Sequence, residues 1–198
     1  MPRDKTLTAQ RAFGGLRSEL LSAPQVLVGF SGGLDSSVLL DMLIQTIPSD
    51  RITAVHINHG LSPKASQWQA HAELFCQVRG ITCHSENVNV EHNGSGPEAA
   101  ARQVRYDVFE KLLHQQGILL LGHHQDDQIE TLLYRLMRSS GPLGLSGIPV
   151  TRSIGAGTLY RPLLTWAKDE LKTYALANSI EWVEDKSNSC NDYDRNFL

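Results

Sequence analysis

Residues 25 to 40, QVLVGFSGGLDSSVLL, constrain the fold more than any other stretch of the chain. Val26, Leu27, Val28 and Phe30 form a short apolar run with the residue types of a buried strand. Ser31-Gly32-Gly33 then breaks the pattern, Asp35-Ser36-Ser37 suits a helix N-terminus, and Val38, Leu39, Met42 and Leu43 resume at helical spacing. The order is strand, glycine loop, helix. The first backbone N–H groups of such a helix lack intrahelical partners and its dipole is positive there, so an anion fits above them. Two glycines let the backbone approach it closely. The loop is neither G-x-x-x-x-G-K-[ST], since no lysine follows, nor G-x-G-x-x-G, since the spacing differs. Asp35 beside a phosphate would repel it unless a divalent cation lay between them, so Asp35 is a candidate ligand of such a cation.

The remaining periodicity extends this unit into a sheet. Ile52, Ala54, Val55 and Ile57 predict a second strand ending at Asn58-His59-Gly60, parallel to the first. Ligands of such sheets gather at the strands' carboxyl ends, where Ser31 would meet the segment from His56 to Gly60. Further strands are expected at Ile81 to Val90, Ile118 to Leu121 and Ile180 to Glu184. Helices are expected from Ser62-Pro63 to Gly80, from Pro97, from the acidic run at Asp126 onward, and from Thr165 to Ala177. Trp68, Ala72, Phe75 and Val78 should face the core, as should Ile129, Leu132, Leu133, Leu136 and Met137. Residues 138 to 157 read as one long glycine-rich loop, with Arg138 and Arg152 suited to cover phosphates or an RNA strand. The expected fold is α/β and doubly wound: a mainly parallel five-stranded sheet with helices on both faces. It spans residues 25–198, with residues 1–24 as an N-terminal helical extension.

A second stretch, Gly122 to Thr131, reads GHHQDDQIET. Asp126, Asp127 and Glu130 collect at a helix N-terminus, where the dipole and capping-box spacing explain acids without any chemistry. The histidines are not explained that way. His123 and His124 sit at a strand's carboxyl end beside those acids, where an imidazole can act as a base or a ligand; magnesium prefers the carboxylates, Asp126 among them. On the preceding helix Glu98, Arg102 and Arg105 fall on one face, either as a solvated ion-pair face or with an arginine reaching phosphate.

Composition bounds these options. The net charge of −3 gives no support to a generally basic nucleic-acid surface, so any RNA contact must be local. Three cysteines with no C-x-x-C pair argue against a disulfide framework and a Cys-rich metal site. No apolar run approaches the roughly 20 residues of a membrane span, and the N-terminus lacks the apolar segment of a signal peptide, so a cytoplasmic location is expected.

S-G-G-L-D-S resembles the pyrophosphate-binding loop of the N-type ATP pyrophosphatases, the PP-loop superfamily. Further segments stand in the same order as in the tRNA(Ile)-lysidine synthetase family: VHINHGLS, EAAARQVRYDVF, GHHQDDQIETLLYRLMRSSGPLGL, RPLL, EDKSN and DYDRNF. The resemblance implies a ligase that activates the wobble cytidine of a CAU-anticodon isoleucine tRNA with ATP, joins free L-lysine to it and releases AMP and pyrophosphate. It implies that Ser31, Gly32, Gly33, Leu34, Asp35 and Ser36 hold ATP, with Mg2+ at Asp35 and Asp126. Asp35, His123, Asp127, Arg102, Arg105 and Arg195 become candidate catalytic residues, with His123, Asp126 or Asp127 orienting or deprotonating lysine. The family continues into tRNA-binding domains beyond this length, so the chain is expected to be a domain cut from a longer protein, with a homodimer left open. The alternatives are another PP-loop enzyme acting on tRNA or a small molecule, and a non-catalytic ATP-binding module.

Overall fold

The structure, a computed structural model, describes residues 5–60, 62–89, 97–137 and 146–184. Helices α1 (Lys5–Phe13) and α2 (Arg17–Ser22) lead into β1 (Val26–Gly29) and α3 (Leu34–Ile44). There follow β2 (Ile52–Asn58), α4 (Ala65–Val78), β3 (Thr82–Asn87), α5 (Pro97–Leu112), β4 (Ile118–Leu120) and α6 (Gln125–Met137). A hairpin of β5 (Thr151–Ile154) and β6 (Gly157–Tyr160) precedes α7 (Lys168–Ala177). One sheet runs in the order β3-β2-β1-β4-β6-β5, parallel except for β5.

Alternation along the strands divides the core in two, because successive side chains point to opposite faces. Val26, Val28, Ile52, Ala54, Ile118 and Leu120 meet α1, α2, α3, α4 and α7 on one face. Leu27, Val55, Leu119, Leu121 and Leu159 meet Tyr106, Phe109 and Leu113 of α5 and its C-terminal end on the other. The doubly wound α/β expectation is met, and residues 5–22 belong to the first core through Phe13, Leu16 and Leu20.

The expected five strands become six, by one loss and two gains. Ile180 to Glu184 is not a strand: Val183 N–H donates instead to Gly32 O at 2.9 Å, which spends that stretch on the glycine loop. The hairpin lies partly inside the predicted loop. Thr151, Arg152 and Ser153 are exposed, so this edge strand carries little apolar signal, and β6 completes the pairing with β4. Residues 138–145 lie outside the described residues. Helix starts also shift. Ser62 Oγ accepts Lys64 N–H and α4 begins at Ala65, while α7 is capped at Ala167, whose N–H meets Glu170 Oε2 at 3.2 Å, not at Thr165.

Two apolar faces do not point where their periodicity implied. On α4, Ala72, Phe75 and Cys76 are buried but Val78 is 73% exposed. On α6, Ile129, Leu133, Leu136 and Met137 are 49%, 55%, 56% and 84% exposed. The periodicity identified the α6 helix correctly; it could not say what lies against it among the described residues.

Phe13 is fully buried in the larger core. Phe13→Ala should therefore destabilise the protein by about 3–5 kcal/mol, read as a lower urea midpoint. A dispensable N-terminal extension would instead show a change within about 0.5 kcal/mol.

Candidate active site

Sheet pairing carries the backbone to the lip of the glycine loop, with Phe30 N–H donating to Val55 O at 2.9 Å. Gly32 has φ of +80°, and a Cβ there would stand 3.3 Å from His71 Cδ2 and 3.4 Å from Val183 Cγ2, so both conformation and space call for glycine. Gly33 N–H donates to Ser31 Oγ at 3.2 Å; Ser36 Oγ donates to Gly33 O at 3.1 Å and lies 3.1 Å from Ser31 Oγ. These bonds fold the loop over the first turn of α3. Its N-cap, Gly33, makes no side-chain capping bond, which leaves the helix entrance suited to an anion.

The end of β4 closes against this turn. A Cβ at Gly122 would lie 3.2 Å from Asp35 C and O and 3.3 Å from Ser36 N, so glycine lets the two backbones approach more closely than most side chains allow. His124, 4% exposed, follows. Its Nδ1 accepts Asp126 N–H at 3.2 Å, which leaves the proton on Nε2. Nε2 stands 3.6 Å from Asp35 Oδ2 and 3.7 Å from Asp127 Oδ2, while Asp127 Oδ2 also accepts His124 N–H at 2.8 Å. Asp35 and Asp127 thus share one edge of the imidazole. Asp126 lies at the opposite edge, 3.9 Å from Nδ1, and accepts Lys168 N–H at 3.4 Å.

Asp35 Oδ1 is buried without a hydrogen-bond partner. Burial raises its carboxyl above the ordinary value of 3.8; His124 and Lys168 pull it down and Asp127 adds to the rise. An orphaned buried carboxylate oxygen is what a divalent cation would satisfy. Among the described residues no group of three or more His, Cys, Asp or Glu side chains could hold a metal ion. A cation at Asp35 would therefore complete its shell with ligand oxygens and water, as magnesium does on phosphates.

A second compartment opens on the far side of Asp127. It is a cavity of ≈ 270 Å³ with five arginines in its wall: Arg102 and Arg105 of α5, Arg135 of α6, Arg152 of β5, and Arg161. Asp127 and Glu130 are its acids. Gln128 shapes the rim by donating to Ile148 O at 3.0 Å and accepting Ile148 N–H, and Arg135 Nη1 donates to Gly147 O at 3.2 Å. Arg102 and Arg152 stand 5.2 Å and 4.6 Å from the centre of the Tyr106 ring. Burial pushes the Tyr106 phenol up, yet Arg102, Arg152 and Arg161 outweigh it and hold it below its ordinary value. Burial, with Arg161, Arg102, Arg105 and His124, drives His123 down to about 3.

The two adjacent histidines therefore part company. His124 meets the carboxylates at the glycine loop, and His123 belongs to the arginine cavity. Arg102, Arg105 and Asp127 join His123 there, whereas Asp35 and Asp126 do not line it; Arg195 lies outside the described residues. Arg161 and Lys168 are site residues that pattern reading passed over. Arg161 stood in the R-P-L-L segment, and only its place at the end of β6 gives it meaning. His59, read as a loop residue, has a buried Nδ1 without a partner and is lowered to about 4 by burial, then Arg105 and His56.

The model of the PP-loop domain matches residues 5–198. The chain belongs to the PP-loop domain family. ATP use follows from that membership. This PP-loop chain is 43% identical over 193 residues to the tRNA(Ile)-lysidine synthase of Photorhabdus laumondii, covering 96% of this chain and 44% of that protein. It is 44% identical over 186 residues to the synthase of Escherichia coli O157:H7, covering 92% and 43%. The chain thus spans less than half the length of these relatives. Among solved structures, a U34-tRNA thiolase of Methanococcus maripaludis superposes with a TM-score of 0.73 at 19% identity, covering 90% of this chain and 64% of that one. An NH3-dependent NAD synthetase of Campylobacter jejuni gives 0.60 at 12%, covering 94% and 82%. Both likenesses are of fold. No helix among the described residues is long and apolar enough to cross a membrane.

The raised Asp35 pKa has a definite sign. Its contribution to stability is fully present below the unfolded value of 3.8 and is lost as pH rises through the folded value. Asp35→Asn should consequently raise the urea midpoint of the ligand-free protein at pH 7, and the gain should shrink as pH falls toward 3.8. Magnesium with ATP should raise the midpoint of the unsubstituted protein and leave that of the Asn variant nearly unmoved; denaturation curves with and without Mg-ATP check both.

Proposed function

We propose that this chain is the nucleotide-activating part of a tRNA(Ile)-lysidine synthase, which uses ATP to join lysine to the wobble cytidine of a CAU-anticodon isoleucine tRNA. The observation that carries the reading is Asp127, which borders both compartments: it shares an edge of His124 with Asp35, and it lines the arginine cavity. Relatives that carry this name match nearly the whole chain at 43–44% identity.

In this reading ATP lies with its phosphates over Ser31 to Ser36 and its adenine near the backbone of Val55 to Ile57. Magnesium, when bound at Asp35, supplies charge neutralisation between that carboxylate and the phosphates. Asp126, held at the opposite edge of His124 from Asp35, is the second carboxylate proposed to serve that ion. The carbonyl oxygen of cytidine attacks the α-phosphorus and pyrophosphate leaves, which turns a poor leaving group into a good one. The ε-amine of lysine then attacks the activated carbon and AMP departs. A lysine ammonium must first shed a proton, and Asp127 and Glu130, the carboxylates of an otherwise cationic cavity, are placed to hold it and accept that proton. Arg102, Arg105 and Arg152 offer planar donors to adenylate and RNA phosphates. Their concentration in one cavity supplies the local positive field that a net charge of −3 hides. Arg195 is proposed for the same task on resemblance alone.

The test is incubation of the full-length protein with ATP, Mg2+, labelled lysine and CAU-anticodon tRNA. The expected result is ATP-dependent label in RNA with AMP released, and Asp127→Asn should lower the rate by about 10²–10⁴-fold. Label absent from RNA while tRNA-dependent ATP–pyrophosphate exchange persists would point to another PP-loop enzyme. Absence of both would leave an ATP-binding module.

A further inference from the structure

The proton on His123 can be placed from its neighbours. β4 and β6 are parallel neighbours in the register Leu120↔Tyr160, so the residues just beyond each strand end come together. Leu121 N–H still donates to Tyr160 O at 3.0 Å, and Arg161 N–H donates to Val150 O at 2.8 Å, which ties the start of the R-P-L-L segment to the hairpin. The Arg161 side chain turns inward and is 3% exposed. Its Nε–H donates to His123 Nδ1 at 3.2 Å, and its Nη1 donates to Pro149 O at 2.7 Å. A guanidinium has donors only, so the imidazole nitrogen that faces it must be an acceptor. The ring proton is then on Nε2.

We propose that Arg161 is a positioning residue that fixes His123 as the neutral Nε2–H tautomer, so that His123 serves the arginine cavity as a hydrogen-bond donor and not as its base. The lone pair a base would use on Nδ1 is taken by Arg161, and Nε2 already carries a hydrogen. A second proton would place a cation among Arg102 and Arg105 of α5, Arg161 beyond β6 and His124 of its own segment. Asp127 is the carboxylate of the same cavity nearest in sequence, and its Oδ2 is engaged by His124 N–H at 2.8 Å. The neutral imidazole can therefore give a directed hydrogen bond to an anionic oxygen of a bound substrate, adding geometry where the arginines add charge. The proton needed from an ammonium nucleophile must go elsewhere, to a carboxylate. The contact with substrate rests on the function proposed above; the tautomer does not.

Two experiments test this, and they fail separately. Nitrogen-detected NMR of the His123 ring in the ligand-free protein should show an unprotonated Nδ1 and a protonated Nε2, unchanged from pH 8 down to pH 5. Arg161→Met should give a mixture of tautomers with a titration nearer the ordinary value of 6.5, and Arg161→Lys, which keeps a charged donor, should restore the single tautomer in part. A protonated Nδ1 or an imidazolium at pH 7 in the unsubstituted protein overturns the proposal, whatever the variants do. In the lysine-incorporation assay, His123→Gln, whose amide can donate but cannot act as a base, should keep kcat within about tenfold. A loss of about a hundredfold or more, equal to that of His123→Ala, would mark His123 as the base and overturn the proposal. If the unsubstituted protein incorporates no lysine, it is the function that falls, and the spectrum still decides the tautomer.

Discussion

The site depends on one close approach between backbones. Gly122, just past β4, lies so near the first turn of α3 that a Cβ would stand 3.2 Å from Asp35 C and O. Parallel pairing of β1 with both β2 and β4 puts their carboxyl ends side by side, and the missing side chain lets them touch. Everything chemical follows from that contact. His124 is set beside Asp35, and Asp127, from the first turn of α6, is drawn to the same imidazole edge. A side chain at Gly122 would require the loop and the histidine segment to shift by a few tenths of an ångström.

The resulting electrostatics are split across a short distance. At the glycine loop, Asp35 and Asp127 share one edge of a buried imidazole and Asp35 Oδ1 has no hydrogen-bond partner, a setting that favours a cation. Beyond Asp127, five arginines favour anions, and burial together with Arg161, Arg102 and Arg105 keeps His123 neutral. Asp127 borders both. In the proposed reaction, a nucleotide with its magnesium and a polyanionic substrate would each find the charge it needs on its own side of Asp127. β5 supplies Arg152 and the residue just beyond β6 supplies Arg161, so an edge strand with three exposed residues and its neighbouring segment contribute two of the five cations.

Much of the framework was legible in the chain. The short continuous apolar runs at Val26 to Val28 and Ile118 to Leu121, the glycine loop, and the 3.6-residue period of α6 all report local geometry, which side-chain pattern encodes directly. The failures have a common cause. Ile180 to Glu184 has strand-like composition, but Val183 gives its N–H to Gly32 O, a partner more than a hundred residues away. Thr151 to Ser153 are exposed edge-strand residues, so no hydrophobic alternation betrays them. The apolar stripe of α6 is real, yet burial depends on what lies opposite, and period alone does not carry that information.

The sequence by itself determined that an anion-binding strand–loop–helix opens a parallel α/β sheet, and that a second cluster of histidines and acids stands at another strand end. Both follow from near neighbours along the chain, since glycine spacing, capping chemistry and period are local properties. Only the tertiary structure decided that adjacent histidines serve different compartments, that Arg161 orders one of them, and that Asp127 rather than Asp126 stands with Asp35. Those assignments turn on sheet register and on close backbone contact between segments about ninety residues apart along the chain, as at Asp35 and Gly122, where differences of a few ångströms separate a partner from a bystander.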